Sequence, residues 1–120
     1  MPSGLLQCTF ERIPKVTLIN KTGANILGFA DENAFFAQKE IRDNVLRCIH
    51  PADRELVMDE IFGVTEEGIV KSVSHRIVTG DGQEKWVRAA SCVIQNMQGK
   101  KIYQVIFYDV TEIKTLRRKN

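Results

Sequence analysis

Two histidines and three cysteines are the side chains of this 120-residue chain best suited to metal or redox chemistry. Their spacing argues against both. Cys8, Cys48 and Cys92 are isolated, none belongs to a C-x-x-C pair, and no histidine lies near one at ligand spacing. They read as small buried hydrophobes in a reducing compartment. A cytoplasmic location follows, with a membrane-anchored parent left open. His50 directly precedes Pro51 and reads as a turn or helix-start residue; no other histidine in the helix that follows offers a haem ligand. No glycine loop cradles a phosphate and no nucleophile–base pair emerges, so catalysis is not expected. That leaves His75, which alternates with Val73 and Ile77 along one strand face and needs a partner if that face is buried.

The elements that must position it lie mostly in the last third of the chain. Residues 73–79, 85–95 and 101–108 are predicted strands, joined by Gly80-Asp81-Gly82 and by a second turn around Gly99. Connections this short build an antiparallel meander. The last two strands are apolar on both faces: Val87, Ala89, Ser91 and Val93 oppose Trp86, Cys92 and Ile94, and Tyr103, Val105 and Phe107 oppose Ile102, Ile106 and Tyr108. A free-standing sheet keeps one wet face, so a helix or a second subunit is expected to cover the other. Asp109, three residues before Glu112, reads as a capping box opening a terminal helix. Arg76 and Arg88 are both candidates to pair with Asp109. Ile113 and Leu116 would share one side of that helix.

Upstream, residues 5–10 and 15–20 are predicted strands joined through Pro14, which belongs in a turn or at an edge. Residues 24–29 read as a short helix stopped by Gly28, 31–37 as a turn or two, and 39–48 as a helix carrying Ile41, Val45 and Leu46 at helical spacing. His50-Pro51-Ala52-Asp53 opens a longer helix running to about Thr65, with Leu56, Val57, Ile61 and Val64 facing inward. The predicted fold is α+β: a five-stranded antiparallel sheet with short helices and one longer helix packed on one face. One domain suits the length. A net charge of +2, its excess gathered in Arg117-Arg118-Lys119, carries no signal for nucleic acid, and no apolar run approaches a membrane span.

Four segments, in order, resemble a PAS domain, the sensory module of histidine kinases, diguanylate cyclases and related signalling proteins. They are Asn20 through Leu27-Gly28-Phe29, Ile49-His50-Pro51-Ala52-Asp53, Arg76 through Asp81-Gly82 to Trp86, and Asp109-Val110-Thr111-Glu112. Together they cover almost the whole chain. The resemblance implies a sheet whose concave face encloses a cavity for a ligand or cofactor. Its strand phase turns Val73, His75, Ile77, Val87, Ala89, Ser91, Val93, Tyr103, Val105 and Phe107 inward, with His75 as a polar anchor near Ser91 and Tyr103, or as a core histidine satisfied by its neighbours. Trp86, Ile94, Ile106 and Tyr108 then form a homodimer face, and Asp109, Thr111 and Glu112 the junction to an output helix. Residues 1–112 are the sensory domain and 113–120 the start of a linker to an effector domain in a longer parent chain. The cofactor is unknown: Asp43-Asn44-Val45-Leu46-Arg47-Cys48 departs from the family's flavin-binding stretch, and no proximal haem ligand is offered. Two functions are expected: a sensor that binds a small molecule, or a ligand-free structural dimerisation module.

Overall fold

The computed structural model describes residues 2–114. Strands β1 (Gly4–Thr9), β2 (Val16–Ile19), β3 (Lys71–Val78), β4 (Glu84–Gln95) and β5 (Lys101–Asp109) form one antiparallel sheet in the order β2-β1-β5-β4-β3. The N-terminal hairpin thus meets the meander through β1 and β5. Register then fixes the faces, because residues paired across antiparallel strands point the same way. His75 pairs with Val87, Ala89 with Phe107, Ser91 with Val105 and Val93 with Tyr103. The residues expected to face inward are buried together, except Val73, which stays half-buried near the open end of β3.

Helices α1 (Lys21–Ile26), α2 (Glu32–Phe36), α3 (Lys39–Asp43) and α4 (Arg54–Glu60) fill the crossover between β2 and β3. Helices α3 and α4 are shorter than the sequence pattern suggests, for local reasons. The helix expected over 39–48 breaks at Asn44, whose backbone is extended and whose side chain accepts the Leu46 N–H at 3.1 Å. An Asn side chain competes with the helical ladder in this way, and the chain continues as a 3₁₀ turn, Val45–Cys48. The helix expected from Pro51 to about Thr65 begins as a 3₁₀ turn and ends at Glu60. There the Val57 carbonyl accepts from both Ile61 and Phe62, loosening the last turn. Leu56, expected to face inward, is exposed on the outer side of α4, whereas Val57, Ile61 and Val64 are buried as expected. Among the described residues no helix is long and apolar enough to cross a membrane.

One residue fastens the hairpin to the helical layer. Asn20 Oδ1 accepts the Gly23 N–H at 2.7 Å, capping α1, and the Leu5 N–H of β1 at 2.9 Å. Helix α1 therefore starts at Lys21, earlier than the apolar spacing implies. The contact is close enough to require glycine: a Cβ on Gly4 would lie 2.7 Å from the Phe107 ring and 2.8 Å from the Gly23 Cα. Replacing Asn20 by Ala leaves both N–H groups without their acceptor. Asn20→Ala is expected to cost roughly 2 kcal/mol in urea unfolding. Asn20→Asp, which keeps the acceptor, should cost clearly less; equal losses would mean the staple is not the cause.

Candidate functional site

The inner face of the sheet and the helices enclose a cavity of about 40 Å³, walled by Leu27, Val57, Ile61, Ile77 and Phe107 among other apolar side chains. Among the described residues, His75 and Cys48 are the only polar side chains on its wall. One water occupies roughly 10–15 Å³ on this measure, so the space is that of a few waters. Ligand pockets typically run to about 300–1,000 Å³.

His75 is 4% exposed, and its Nδ1 lies 3.2 Å from the Arg76 carbonyl. Burial lowers its pKa, against the smaller opposing pull of that carbonyl, so the ring is neutral at physiological pH. A carbonyl only accepts, so Nδ1 carries the proton and Nε2 keeps its lone pair. The expected grouping with Ser91 and Tyr103 does not form. Ser91 lies four residues along β4 from Val87, the partner of His75, a displacement of about 13 Å. Its hydroxyl is buried with no hydrogen-bond partner among the described residues. The Tyr103 hydroxyl donates to the Phe62 carbonyl at 2.7 Å, and its ring packs against Phe10 and Phe62. Tyr103 thus borders an open cleft of about 330 Å³, shared with Phe10, Arg12 and Met58, which the sequence does not announce.

Cys8 and Cys48 are buried and held as thiols. Cys48 donates to the Val45 carbonyl, and burial pushes its thiol up to about 12. Burial, with a smaller contribution from Cys48, raises Cys8 further still.

The rim of the sheet holds the charges. Asp53 accepts from Arg76 three times: the backbone N–H at 2.7 Å, Nε at 3.0 Å and Nη2 at 2.8 Å. Such forked, charge-assisted pairing is strong. The Arg76 guanidinium, opposing a smaller desolvation penalty, holds the Asp53 carboxyl down from the ordinary 3.8 to about 2. His50 takes the capping role expected of it: Nδ1 accepts the Ala52 N–H at 3.1 Å, while Nε2 lies 3.1 Å from Glu84.

Arg76 is therefore unavailable to Asp109, and Arg88 turns instead to Ser74. The partner of Asp109 is Lys85, at 3.8 Å, two residues before Val87, which stands opposite Asp109 in the β4–β5 register. The capping box is also redrawn. Asp109 Oδ1 accepts the Thr111 N–H at 3.0 Å, an Asx turn just before the exit helix at 111–114. Thr111 Oγ1 accepts the Trp86 N–H at 2.9 Å, and the Val110 N–H donates to the Trp86 carbonyl at 2.9 Å. The exit is thereby hydrogen-bonded to the backbone of Trp86 near the start of β4. Glu112 is exposed, and Leu116 lies outside the described residues.

On the outer face, Trp86, Ile94 and Tyr108 are half-buried and Ile106 is 38% exposed.

A family model described as the PAS fold matches residues 16–107. The chain belongs to the PAS family. Solved PAS structures share its architecture: a PAS domain from Colwellia psychrerythraea at 18% identity and TM-score 0.70, covering 92% of this chain and 87% of that one. A sensory box histidine kinase/response regulator from Burkholderia thailandensis matches at 21% identity and TM-score 0.67, over 98% and 83%. The N-terminal domain of a diguanylate cyclase with PAS/PAC sensor from Marinobacter aquaeolei matches at 15% and 0.62, over 94% and 99%. No curated protein sequence matches the chain. The PAS domain is a sensory module, not a catalytic one.

Two expectations follow for this PAS domain. Because the folded pKa of Asp53 is depressed, its stabilisation is complete above about pH 4 and lost as pH falls through about 2. Asp53→Asn should lower stability at pH 7 by on the order of 2 kcal/mol. The gap to wild type should close between pH 4 and pH 2; a gap independent of pH would assign the loss to packing. Ser91→Ala removes a buried hydroxyl that has no partner and should raise stability by about 1 kcal/mol. A fall in thermal midpoint would show that the hydroxyl is satisfied in solution.

Proposed function

We propose that this chain is the sensory and relay domain of a signal-transduction protein, acting as a homodimer whose outer sheet face is the contact. The observation that carries this reading is the unequal filling of the two apolar sheet faces. The inner face is packed down to about 40 Å³, while the outer face leaves Ile106 open among the half-buried Trp86, Ile94 and Tyr108. Apolar clusters of this kind on a domain surface mark contact sites. The signal leaves through Asp109, Thr111 and Glu112, where the last strand becomes the exit helix. Residues 1–112 form the sensory unit, and the chain from Ile113 onward begins the connection to an effector. The histidine kinase/response regulator and the diguanylate cyclase among its structural relatives support an effector of that kind.

The filled interior favours a relay that needs no large bound cofactor. A second reading has its own support: the unprotonated Nε2 of His75, on a wall that is apolar apart from the Cys48 thiol, offers an acceptor to a ligand of a few atoms. Flavin and haem are far larger than that space.

Native mass spectrometry of the purified chain tests both readings on one sample. The expected spectrum is a dimer with the mass of two bare chains, reduced to monomer by Ile106→Glu. A wild type that stays monomeric at high concentration overturns the dimer reading. A retained adduct would turn the assignment to the ligand-binding sensor.

A further inference from the structure

Trp86 is the chain's single tryptophan, and among the described residues two cations lie over its ring. The Arg76 guanidinium carbon lies 5.5 Å from the ring centroid and Lys114 Nζ 4.9 Å. Both are within the range of a cation–π attraction. They come from different parts of the fold. Arg76 stands opposite Trp86 in the β3–β4 register and is held by Asp53, at the entrance to α4. Lys114 belongs to the exit helix, whose first residues are already bonded to the Trp86 backbone.

The two positive centres are therefore no more than about 10 Å apart, close to one Debye length at physiological salt. Like charges at that separation repel, and Asp53 is the group that offsets the repulsion by neutralising Arg76. With the Asp53 charge in place, Lys114 meets an aromatic face beside a neutral ion pair. Without it, Lys114 meets an aromatic face beside a bare guanidinium.

We propose that Asp53, Arg76, Trp86 and Lys114 form a clasp that couples the entrance of α4 to the exit helix. Breaking the ion pair at one end loosens the helix at the other. The direction is reciprocal: a docked Lys114 adds positive potential around Asp53 and so favours the ion pair. Helix α4 contributes Val57 to the cavity wall, so a displacement of α4 that pulls Asp53 from Arg76 reaches the exit without passing along β5. The clasp rests on the reading of 111–114 as the output path only for its use in signalling. The coupling itself is a property of this chain, so its failure leaves that reading standing.

Amide hydrogen exchange on the full 120-residue chain, read residue by residue, tests the coupling in four proteins: wild type, K114M, D53N and the double variant. The reporters are the Val110 and Lys114 amides, bonded to the Trp86 and Val110 carbonyls, and the Arg76 amide, bonded to Asp53. K114M should speed exchange at Val110 roughly two- to fivefold, the factor a partly exposed cation–π contact supports. D53N should speed the Val110 and Lys114 amides as well, although it touches neither. In the K114M background D53N should add less at Val110 than it does in the wild type, because the Lys114 charge that it would repel is gone. An equal D53N effect in both backgrounds would reduce it to general destabilisation and overturn the clasp; so would no effect at Val110 with β4 and β5 still protected. The reciprocal arm does not depend on D53N folding. K114M alone should speed the Arg76 amide, and an unchanged Arg76 rate overturns the proposal.

Discussion

The pairing of β4 with β5 is the constraint on which the rest of the domain depends. It runs without interruption from Val87 opposite Asp109 to Gln95 opposite Lys101. Because side chains alternate with a strict period of two, one register decides which ten or so side chains meet the helices and which meet the outside. A slip of β4 by one residue against β5 would put Trp86, Cys92 and Ile94 under the helices and turn Val87, Ala89 and Val93 outward. The same register brings Asp109 beside Lys85 and Thr111 beside Trp86, so the exit is fixed by the sheet rather than by the helix that follows. On the other edge of β5, the pairs Gly4–Phe107 and Leu6–Val105 recruit the N-terminal hairpin into the same surface.

Around this sheet the polar groups divide cleanly. The interior holds a neutral imidazole, two thiols held protonated by burial, and a serine hydroxyl. The ion pairs Asp53 to Arg76 and Asp109 to Lys85 sit at the rim and act as fasteners, and His50 reaches Glu84 there as well. Burying a charge costs several kcal/mol unless it is paired, and a rim position lets each pair keep some hydration. This arrangement also assigns functions to segments that look merely conformational in sequence. The His50-Pro51-Ala52-Asp53 run starts a helix, and its Asp also grips β3.

The strands, their order of burial and the family motifs were legible because period-two patterning survives without tertiary information. The phase that turned His75, Ser91 and Phe107 inward and Ile106 outward is carried by alternation along each strand, together with the family's strand direction. Contacts between elements were not legible. Nothing in the spacing of Asp109 and Arg76 tells that Asp53, distant in sequence, has the stronger claim on that guanidinium. Lys85 is not legible as a partner of Asp109, because its relevance comes only from the β4–β5 register. His75, Ser91 and Tyr103 share a face, as alternation predicts, yet one face spans many ångströms along a strand and does not bring them together. Helix ends failed for a different reason: Asn44 and the doubly used Val57 carbonyl are single-residue events that apolar periodicity does not record.

The fragmentation of the helical layer has a consequence for motion. The longest of its helices, α4, spans seven residues. Isolated helices shorter than about 12–15 residues are marginal in water, so each of these pieces is held by what it packs against rather than by its own ladder. The strands, in contrast, share hydrogen bonds across the whole sheet. Such a molecule has two tiers of cooperativity: a cross-linked sheet, and a cover of separate small plates seated on it. Plates of this kind can lift one at a time, at a cost well below that of global unfolding. The volume under the cover is then a property of which plates are seated, and the sheet can stay intact while the room above it changes size.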